Sequence, residues 1–305
     1  MSEARGPEAG PSRILRGMFF IILATTFFVV MNTGVKLLRA HLPTLELIWA
    51  RTLGHTLFIF MIFGPSHGWW RLLATRKPGT QLARSLLLLA STSLFFIALG
   101  FVPLAEAVAV SFTSPLIVAA LAGPMLAERV SLGHWLAIAA GFCGALVVIR
   151  PGAEGANPYL LLVIVNSLCY AVYQILTRRM AAYDRPEVSV TYSALIGTIV
   201  LSAAVPFSWR TPDRLSHWLI LIAIGLLGGL GHYFVARALV LGPASVISPF
   251  QYAQLIGAAG MGYLVFGDVP SGWTWAGAGV IVASGLYIAW QESQRAREVS
   301  TASRA

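Results

Sequence analysis

The chain has 305 residues, of which 57% are hydrophobic and only 11% are charged. A soluble domain carries roughly twice that charged fraction, and one water-soluble core could not bury so much apolar surface. The net charge of +9 would suggest a nucleic-acid partner in a soluble protein, but the basic residues lie between the apolar segments, where they set membrane topology. The composition therefore predicts a polytopic membrane protein in contact with the lipid bilayer, and it argues against a nucleic-acid partner.

Ten apolar segments follow one another along the chain. A spanning helix needs about 20 mostly apolar residues, and segments of this kind lie near 14–38, 43–64, 82–101, 105–126, 131–149, 158–177, 187–207, 216–236, 244–266 and 272–290. The first run is too long for the apolar core of a signal peptide, so we expect it to be retained. Because the apolarity is unbroken rather than alternating, the segments predict an all-α protein of ten transmembrane helices and not a barrel.

Lysine and arginine are distributed unequally between the connecting segments. With the N-terminus placed in the cytoplasm, fifteen of these residues fall on the cytoplasmic side and four on the outer side. Basic residues are enriched in cytoplasmic loops of membrane proteins. We therefore expect a multi-pass protein of the inner membrane whose tails, 1–13 and 291–305, are both cytoplasmic.

Two sequence patterns occur once in each half of the chain. The pattern ALxxxP occurs at 98–103 and again at 238–243. The pattern acid-x-x-Ser-x-x-x-Trp begins at Glu128 and, 140 residues later, at Asp268. The order and nearly constant offset of these matches indicate an internal duplication.

The duplication divides the chain into two five-helix repeats, 14–149 and 158–290. Near the start of each repeat, a polar residue is followed four positions later by a basic one: Asn32 with Lys36, and Gln174 with Arg178. Because five is an odd number, the second repeat must cross the membrane in the opposite direction. Inverted 5+5 repeats are typical of carriers, whose binding site lies near the membrane midplane and opens to either side.

The motifs resemble those of one transporter family over nearly the whole chain. The 5+5 pattern, the ALxxxP motif, Pro115 ahead of "LAERVS" and the closing "GHWLAIAAGFCGALVVI" are similar to the drug/metabolite transporter superfamily, EamA type. The stretch at 231–274, "MNTGVK" and the arginine of "LIWAR" resemble the branch that holds S-adenosylmethionine and riboflavin carriers and exporters of amino-acid-like metabolites. The family usually has Glu where Asp268 stands, which is a conservative departure.

This resemblance implies a secondary transporter that moves a small organic metabolite by alternating access. The small-molecule substrate is expected to be amino-acid-like, nucleoside-like or vitamin-like. Within this superfamily, motifs identify the fold well and the substrate poorly.

Arg51 is the most unusual residue of the apolar segments. It lies about two turns inside the second span, where insertion of an arginine costs about 2.5–3.5 kcal/mol. His55 shares its helix face four residues later, and the candidate partners of the cation are Glu106 at the start of span 4 or an anionic group of the substrate. Two interpretations stay open: a buried structural pair with Glu106, or a cavity residue that binds or gates substrate.

Other polar residues of the spans are also candidates for the transport path. Asn32 and Gln174 lie deep in spans 1 and 6, where interhelical hydrogen bonding is the alternative to a cavity role. Lys36 and Arg178 either line the path from the two sides or extend to opposite interfaces, and the second interpretation is favoured. Pro115 and Pro249 interrupt spans 4 and 9, and broken helices at matching depth either mark a binding site or are simple kinks. The complete set of candidate substrate-binding residues is Asn32, Arg51, His55, Glu106, Thr113, Tyr170, Gln174, His232, Tyr233, Gln251 and Tyr252.

No sequence motif indicates catalysis or a bound cofactor. There is no phosphate-binding GxxxxGK(S/T) motif and no cluster of histidine and cysteine with metal-ligand spacing, so we predict no cofactor, no metal and no enzymatic activity. Glu46 and Glu106 are the acids that could relay protons, and Ser131 and Ser271 are expected to cap spans 5 and 10. An intramembrane enzyme or a channel-like facilitator remains the alternative, and a homodimer is left open.

Overall fold

The computed structural model describes residues 11–126, 131–153, 156–241 and 244–302. Helices make up almost all of these ranges and no strand occurs within them, which confirms the predicted all-α class. The helices are α1 (Pro11–Leu38), α2 (Thr44–His67), α3 (Pro78–Leu99), α4 (Leu104–Ser111), α5 (Ser114–Leu126), α6 (Leu132–Ile149), α7 (Leu160–Met180), α8 (Pro186–Ala204), α9 (Leu215–Leu241), α10 (Ala244–Ile247), α11 (Ala253–Phe266) and α12 (Gly272–Ala302).

Nine helical segments of the described ranges are long and apolar enough to cross a membrane. One of them, Leu104–Leu121, runs through α4 and α5. The predicted ninth span is not one continuous helix, because it is divided between α10, a 3-10 turn at Ser248–Tyr252 and α11.

Both predicted interruptions occur at their prolines. α4 ends at Ser111 and α5 begins at Ser114, immediately before Pro115. Pro249 lies inside the 3-10 turn that divides the ninth span. Proline lacks a backbone N–H and its ring clashes with the preceding helical turn, so the ladder of helical hydrogen bonds cannot pass through these positions unchanged.

The predicted serine caps are confirmed. Ser131 Oγ accepts a hydrogen bond from the His134 backbone N–H at 3.3 Å, and Ser271 Oγ accepts one from Thr274 N–H at 3.1 Å. Each bond satisfies one of the free N–H groups in the first turn of its helix. Glu128, the acid of the first capping motif, lies outside the described residues.

The packing of the helices follows the proposed duplication. α1 packs along α9, and α7, the counterpart of α1, packs along α3, the counterpart of α9. In the same way α2 contacts α9 while α8 contacts α3, and α6 pairs with its own counterpart α12. If each helix is replaced by its counterpart in the other half of the chain, the α1–α9 pair becomes the α7–α3 pair, the α2–α9 pair becomes the α8–α3 pair, and the α6–α12 pair stays the same.

The two ends of the helix bundle differ in how tightly they are packed. We call the end where α1 ends and α12 begins the Lys36 end, and the end where α7 ends and α8 begins the Asp184 end. Leu38, Leu99, Leu104 and Leu160 all lie at helix termini of the Lys36 end and are at most 1% exposed. They belong to one buried apolar cluster, so this half of the bundle is filled by side chains.

Polar contacts tie the loops together at the Asp184 end. The Asp184 carboxylate accepts hydrogen bonds from the Thr75 hydroxyl, from the backbone N–H of Arg76 at 3.0 Å and from Gln81 Nε2 at 2.8 Å. Burial raises the pKa of Asp184, but these hydrogen bonds outweigh burial and hold the pKa below its ordinary value. The contacts join α3 and the segment before it to the loop between α7 and α8.

A close crossing of α2 and α9 positions the central polar residues. A Cβ atom on Gly54 would lie 2.4 Å from the Cα of Gly225, so the two backbones meet where neither residue has a side chain. Small residues allow such close approach between membrane helices. Because Gly54 lies between Arg51 and His55 on α2, the crossing brings both side chains against α9 near His232.

Candidate functional site

A cavity of about 510 Å³ lies in the middle of the bundle, within the range of small-molecule sites. Seven of the residues predicted from the sequence line it: Asn32, Arg51, Tyr170, Gln174, His232, Gln251 and Tyr252. None of its lining residues in the described ranges is an acid. The cavity is therefore polar and aromatic, with a cation but no carboxylate on its wall.

Four predicted residues do not line this cavity. The Thr113 hydroxyl donates to the Val110 carbonyl oxygen at 2.8 Å and is fully buried at the helix break. Tyr233 packs edge-on against Phe58 at a centroid distance of 6.0 Å, because successive helical residues point about 100° apart and His232 takes the cavity side. His55 lies behind Arg51, beside a separate void of about 10 Å³.

Glu106, the fourth of these residues, does not pair with Arg51. Its Oε1 accepts a hydrogen bond from the Thr274 hydroxyl at 3.2 Å, at the Lys36 end. Glu106 lies in the first turn of α4 whereas Arg51 lies two turns into α2, so the two residues sit at different depths. The interpretation of a structural Arg51–Glu106 pair is therefore wrong.

The observed partner of Arg51 is His232 on α9. Arg51 Nη2 lies 3.2 Å from His232 Nε2, and the arginine is only 7% exposed. Since a guanidinium can only donate, Nε2 must accept, and a neutral His232 carries its hydrogen on Nδ1. The Nε of Arg51 is shielded from solvent and has no hydrogen-bond partner among the described residues.

His232 is held between two other rings. The His55 ring stacks on it with a centroid distance of 5.0 Å and an interplanar angle of 11°. Phe28 of α1 approaches it edge-on at 5.2 Å. Arg51, His55 and His232 thus form one compact cluster, with Arg51 and His232 on the cavity wall and His55 behind them.

The opposite wall of the cavity carries aromatic and amide groups. Tyr252 packs on Phe112 at a centroid distance of 4.7 Å, beside the two helix breaks. Gln174 Nε2 donates to Ser114 Oγ at 3.4 Å. Together these groups present flat apolar faces and hydrogen-bonding atoms that a planar polar molecule could use.

Sequence reasoning missed several lining residues. Ser91 Oγ donates to Asn166 Oδ1 at 2.6 Å, joining α3 to α7 on the cavity wall, and Phe28 and Gln254 also line the cavity. Asn166 and Gln254 were detectable signals, because each is an amide within an apolar segment.

The cavity reaches one end of the bundle and not the other. Its lining extends to Leu239 and Ala289 at the Asp184 end, and it stops at Asn32 and Phe96 toward the Lys36 end. Beyond that point lie the buried leucines described above.

An ion pair lies at the closed Lys36 end. Lys36 Nζ is 2.5 Å from Asp268 Oδ2 and lies 4.6 Å from the centroid of the Phe266 ring. Lys36 thus reaches the connection between α11 and α12 at this end of the bundle, where an ion pair holds it.

A bundle of membrane-crossing helices, two of them broken around a central polar cavity, defines a multi-pass membrane protein with the architecture of a transporter. The EamA-like transporter family matches the sequence twice, over residues 15–150 and 157–290. The chain belongs to this family. The families and relatives that match are transporters rather than enzymes.

Several curated proteins are similar to the chain. The riboflavin transporter of Vibrio cholerae is 33% identical over 227 residues, which are 74% of this chain and 76% of that protein. The S-adenosylmethionine uptake transporter of Rickettsia bellii is 27% identical over 73% of this chain and 76% of its own length. The pseudopaline exporter of Pseudomonas aeruginosa is 27% identical over 88% of this chain and 94% of its own length.

A solved crystal structure also matches the fold. It superposes with a TM-score of 0.62 at 21% identity, over 91% of this chain and 96% of the other. At this identity the likeness shows the fold alone. The comparisons confirm the predicted family, its metabolite-carrier branch and the assignment as a small-metabolite transporter.

Proposed function

We propose that the protein is a secondary carrier of the inner membrane that moves a small organic metabolite by alternating access. The observation that carries the proposal is the central polar cavity, which reaches the Asp184 end of the bundle and is closed at the Lys36 end by packed leucines and an ion pair. Alternating access requires a site near the midplane that opens to one side at a time.

The two repeats, 14–149 and 158–290, are proposed to be related by a half-turn about an axis in the membrane plane. The exchange of packing pairs between the halves supports this relation. So do the two broken spans, which contribute Pro115 and Pro249 to the same cavity. In this arrangement the two repeats can exchange conformations, which opens the cavity to the other side.

The charge distribution supports an orientation with both termini in the cytoplasm. The Asp184 end carries the basic loops of the fifteen-to-four bias, so the cavity as described would face the cytoplasm. Its entry on the other side would then lie behind Lys36 and Asp268.

The substrate is proposed to be planar, with hydrogen-bond acceptors. Tyr170, Phe112 and Tyr252 supply flat faces and Arg51 supplies donors on the cavity wall. Arginine stays charged in proteins and has no carboxylate partner among the described residues, so the cavity disfavours a cationic molecule. Riboflavin, which is neutral and named for two of the relatives at 33% and 31% identity, is therefore a better candidate than S-adenosylmethionine, which carries a sulfonium.

The test is exchange in proteoliposomes. Purified protein is reconstituted with unlabelled riboflavin inside, and uptake of labelled riboflavin is followed with equal pH on both sides. A carrier gives saturable uptake that depends on internal riboflavin, whereas a channel gives uptake that does not saturate and shows no countertransport. The same assay with S-adenosylmethionine tests the second compound, and protein-free vesicles are the blank.

A further inference from the structure

The carboxylates of the described residues all lie away from the cavity. Glu46 accepts from the backbone N–H of Arg210 at 3.2 Å, Glu106 from Thr274, and Asp268 pairs with Lys36, all at the Lys36 end. Asp184 is engaged at the opposite end. The acids that the sequence offered as proton relays, Glu46 and Glu106, are therefore absent from the cavity wall.

The two stacked histidines are the remaining side chains of the central region, among the described residues, that could titrate near neutral pH. Histidine is the side chain whose charge most readily changes near neutral pH. His232 lines the cavity, whereas His55 is 5% exposed and lies behind it. The described part of the cavity wall therefore presents one accessible imidazole, that of His232, which accepts a hydrogen bond from the permanently charged Arg51.

Each neighbouring helix contributes a defined group to the surroundings of this imidazole. α1 contributes Phe28 and Asn32, α2 contributes Arg51 and His55, and α3 contributes Thr92. On the remaining sides, α7 brings the phenols of Tyr170 and Tyr173 within electrostatic range of Arg51, and α8 brings Ser193 to the void beside His55. The charged or titratable members of this set are the arginine, the two histidines and the two phenols.

We propose that His232 is the proton-binding residue of a proton–substrate symporter, and that Arg51 couples the proton to the substrate. The inference rests on the proposed carrier function. In the described conformation Arg51 donates to Nε2, so that nitrogen has no free lone pair for a proton. A substrate acceptor that takes over the Arg51 N–H releases Nε2, which then binds one proton from water.

Electrostatics makes the two binding events cooperative. A protonated His232 beside an uncompensated guanidinium would place two positive charges in contact where water is scarce. A substrate oxygen at Arg51 brings a partial negative charge that weakens this repulsion, and it frees Nε2 of His232, so proton and substrate bind better together than separately. The His55 ring, stacked at 5.0 Å, makes a second protonation unfavourable, which sets a stoichiometry of one proton per substrate.

The closing experiment separates coupling from transport. Proteoliposomes are assayed with riboflavin, and separately with S-adenosylmethionine, in counterflow at equal pH and in net uptake with the outside more acidic. The quantity compared is the ratio of net uptake with the pH gradient to net uptake without it. A trapped pH dye records acidification when the compound is added, and a protonophore collapses the gradient.

We expect the wild-type ratio to be several-fold and to fall to one in His232→Gln, whatever the absolute rate of that variant. Glutamine keeps an acceptor for Arg51 but cannot bind the proton. His55→Gln should retain a ratio above one. A wild-type ratio of one with active counterflow, an unchanged ratio in His232→Gln, or a loss confined to His55→Gln would overturn the inference while leaving the carrier intact.

If the protein exchanges neither riboflavin nor S-adenosylmethionine, that result counts against the proposed function for these two substrates. The inference about His232 is then tested by a measurement that needs no substrate. Imidazole ¹⁵N spectra of the whole protein, assigned with His232→Gln, should show His232 with hydrogen on Nδ1 and an accepting Nε2. Arg51→Met should abolish the signature of that accepted hydrogen bond. Hydrogen on Nε2 of neutral wild-type His232 would remove the Arg51 link and the inference with it.

Discussion

Lys36 of α1 and Asp268, in the connection between α11 and α12, are 232 positions apart in sequence, yet Lys36 Nζ and Asp268 Oδ2 lie only 2.5 Å apart. The pair joins the first span to the last connection of the chain, on the side that the cavity does not reach. In an alternating-access cycle this contact must break when the Lys36 end opens.

Reversing one charge of this pair should shift the carrier away from the conformation closed at the Lys36 end. Partly exposed ion pairs contribute about 0.2–1 kcal/mol, so Lys36→Asp or Asp268→Lys should slow exchange by about 1.4- to fivefold. The double variant with both charges exchanged should recover most of the rate, and Arg71→Asp, an exposed reversal at the other end, should have little effect. Initial rates of counterflow provide the measurement. A double variant no faster than the slower single one would contradict a role for the pair itself.

Replacement of Arg51 should remove transport without removing the protein. Arg51→Ala takes away the only arginine or lysine that the described residues place on the cavity wall. Loss of a charge-assisted contact of about 1.5–3 kcal/mol predicts at least about a tenfold loss of exchange. Arg51→Lys should restore little, because an ammonium does not reproduce the planar guanidinium. Exchange rates are divided by the amount of monodisperse protein from size-exclusion chromatography. Normal transport by Arg51→Ala would show that the residue contributes to packing and not to substrate binding.

A matched variant checks that Glu106 is independent of Arg51. Glu106→Gln retains an acceptor for Thr274 and should change neither the rate of Arg51→Ala nor its stability. Any rescue of Arg51→Ala by Glu106→Gln would reinstate the ion pair that the structure does not form.

A single methyl group at the α2–α9 crossing should be costly. Gly54→Ala would place a Cβ 2.4 Å from Gly225 Cα, and such overpacking costs about 1–3 kcal/mol. Gly260→Ala in α11 adds the same atom where nothing lies within 4 Å, so it should be neutral or stabilising, since Ala favours a helix over Gly by about 1 kcal/mol. Unfolding temperatures in detergent are compared, and equal values for both variants would refute the close crossing.

The Asp184 contacts predict how stability responds to acid. The folded pKa of Asp184 lies below its ordinary value of 3.8, so the carboxylate stabilises the fold at full strength above that pH. This contribution is lost as pH falls through the lowered folded pKa. Asp184→Asn should therefore lower the unfolding temperature near neutral pH and reduce its fall on acidification, with Thr75→Val, which removes one donor, giving a smaller change. A parallel pH curve for Asp184→Asn would show that other groups cause the acid response.

The charge bias predicts where reporters will be found. A reporter fused after the last residue should read cytoplasmic, and one inserted in the connection at 150–158 should read external, because the proposed orientation places these points on opposite sides. Alkaline phosphatase and green fluorescent protein fusions give opposite signals for the two compartments. Inverted signals at both places would reverse the orientation, and equal signals would contradict an odd number of crossings between them.

The sequence predicted properties that are local to one helix. Apolar runs, capping serines and the prolines of the fourth and ninth spans are each decided by residues close in the chain. Contacts between helices were predicted poorly, since they depend on the depth and rotation of two helices at once. The Arg51–Glu106 pair, one of two interpretations that the sequence left open, fails on depth. His232 and Tyr233 were both predicted to line the cavity, but the rotation of α9 turns only His232 toward it.

Arg51 faces the cavity without an acidic residue among the described lining residues. This charge also affects which ions can enter the cavity. Carriers must not let sodium, potassium or free protons leak across the bilayer. A cavity that reaches the middle of the membrane shortens the path that such an ion would have to cross. The fixed charge of Arg51 on the cavity wall repels small cations, as an arginine does in water-selective pores. The residue that we propose to contact the substrate would therefore also act as an electrostatic filter, and it would preserve the ion gradients of the cell while the carrier is empty.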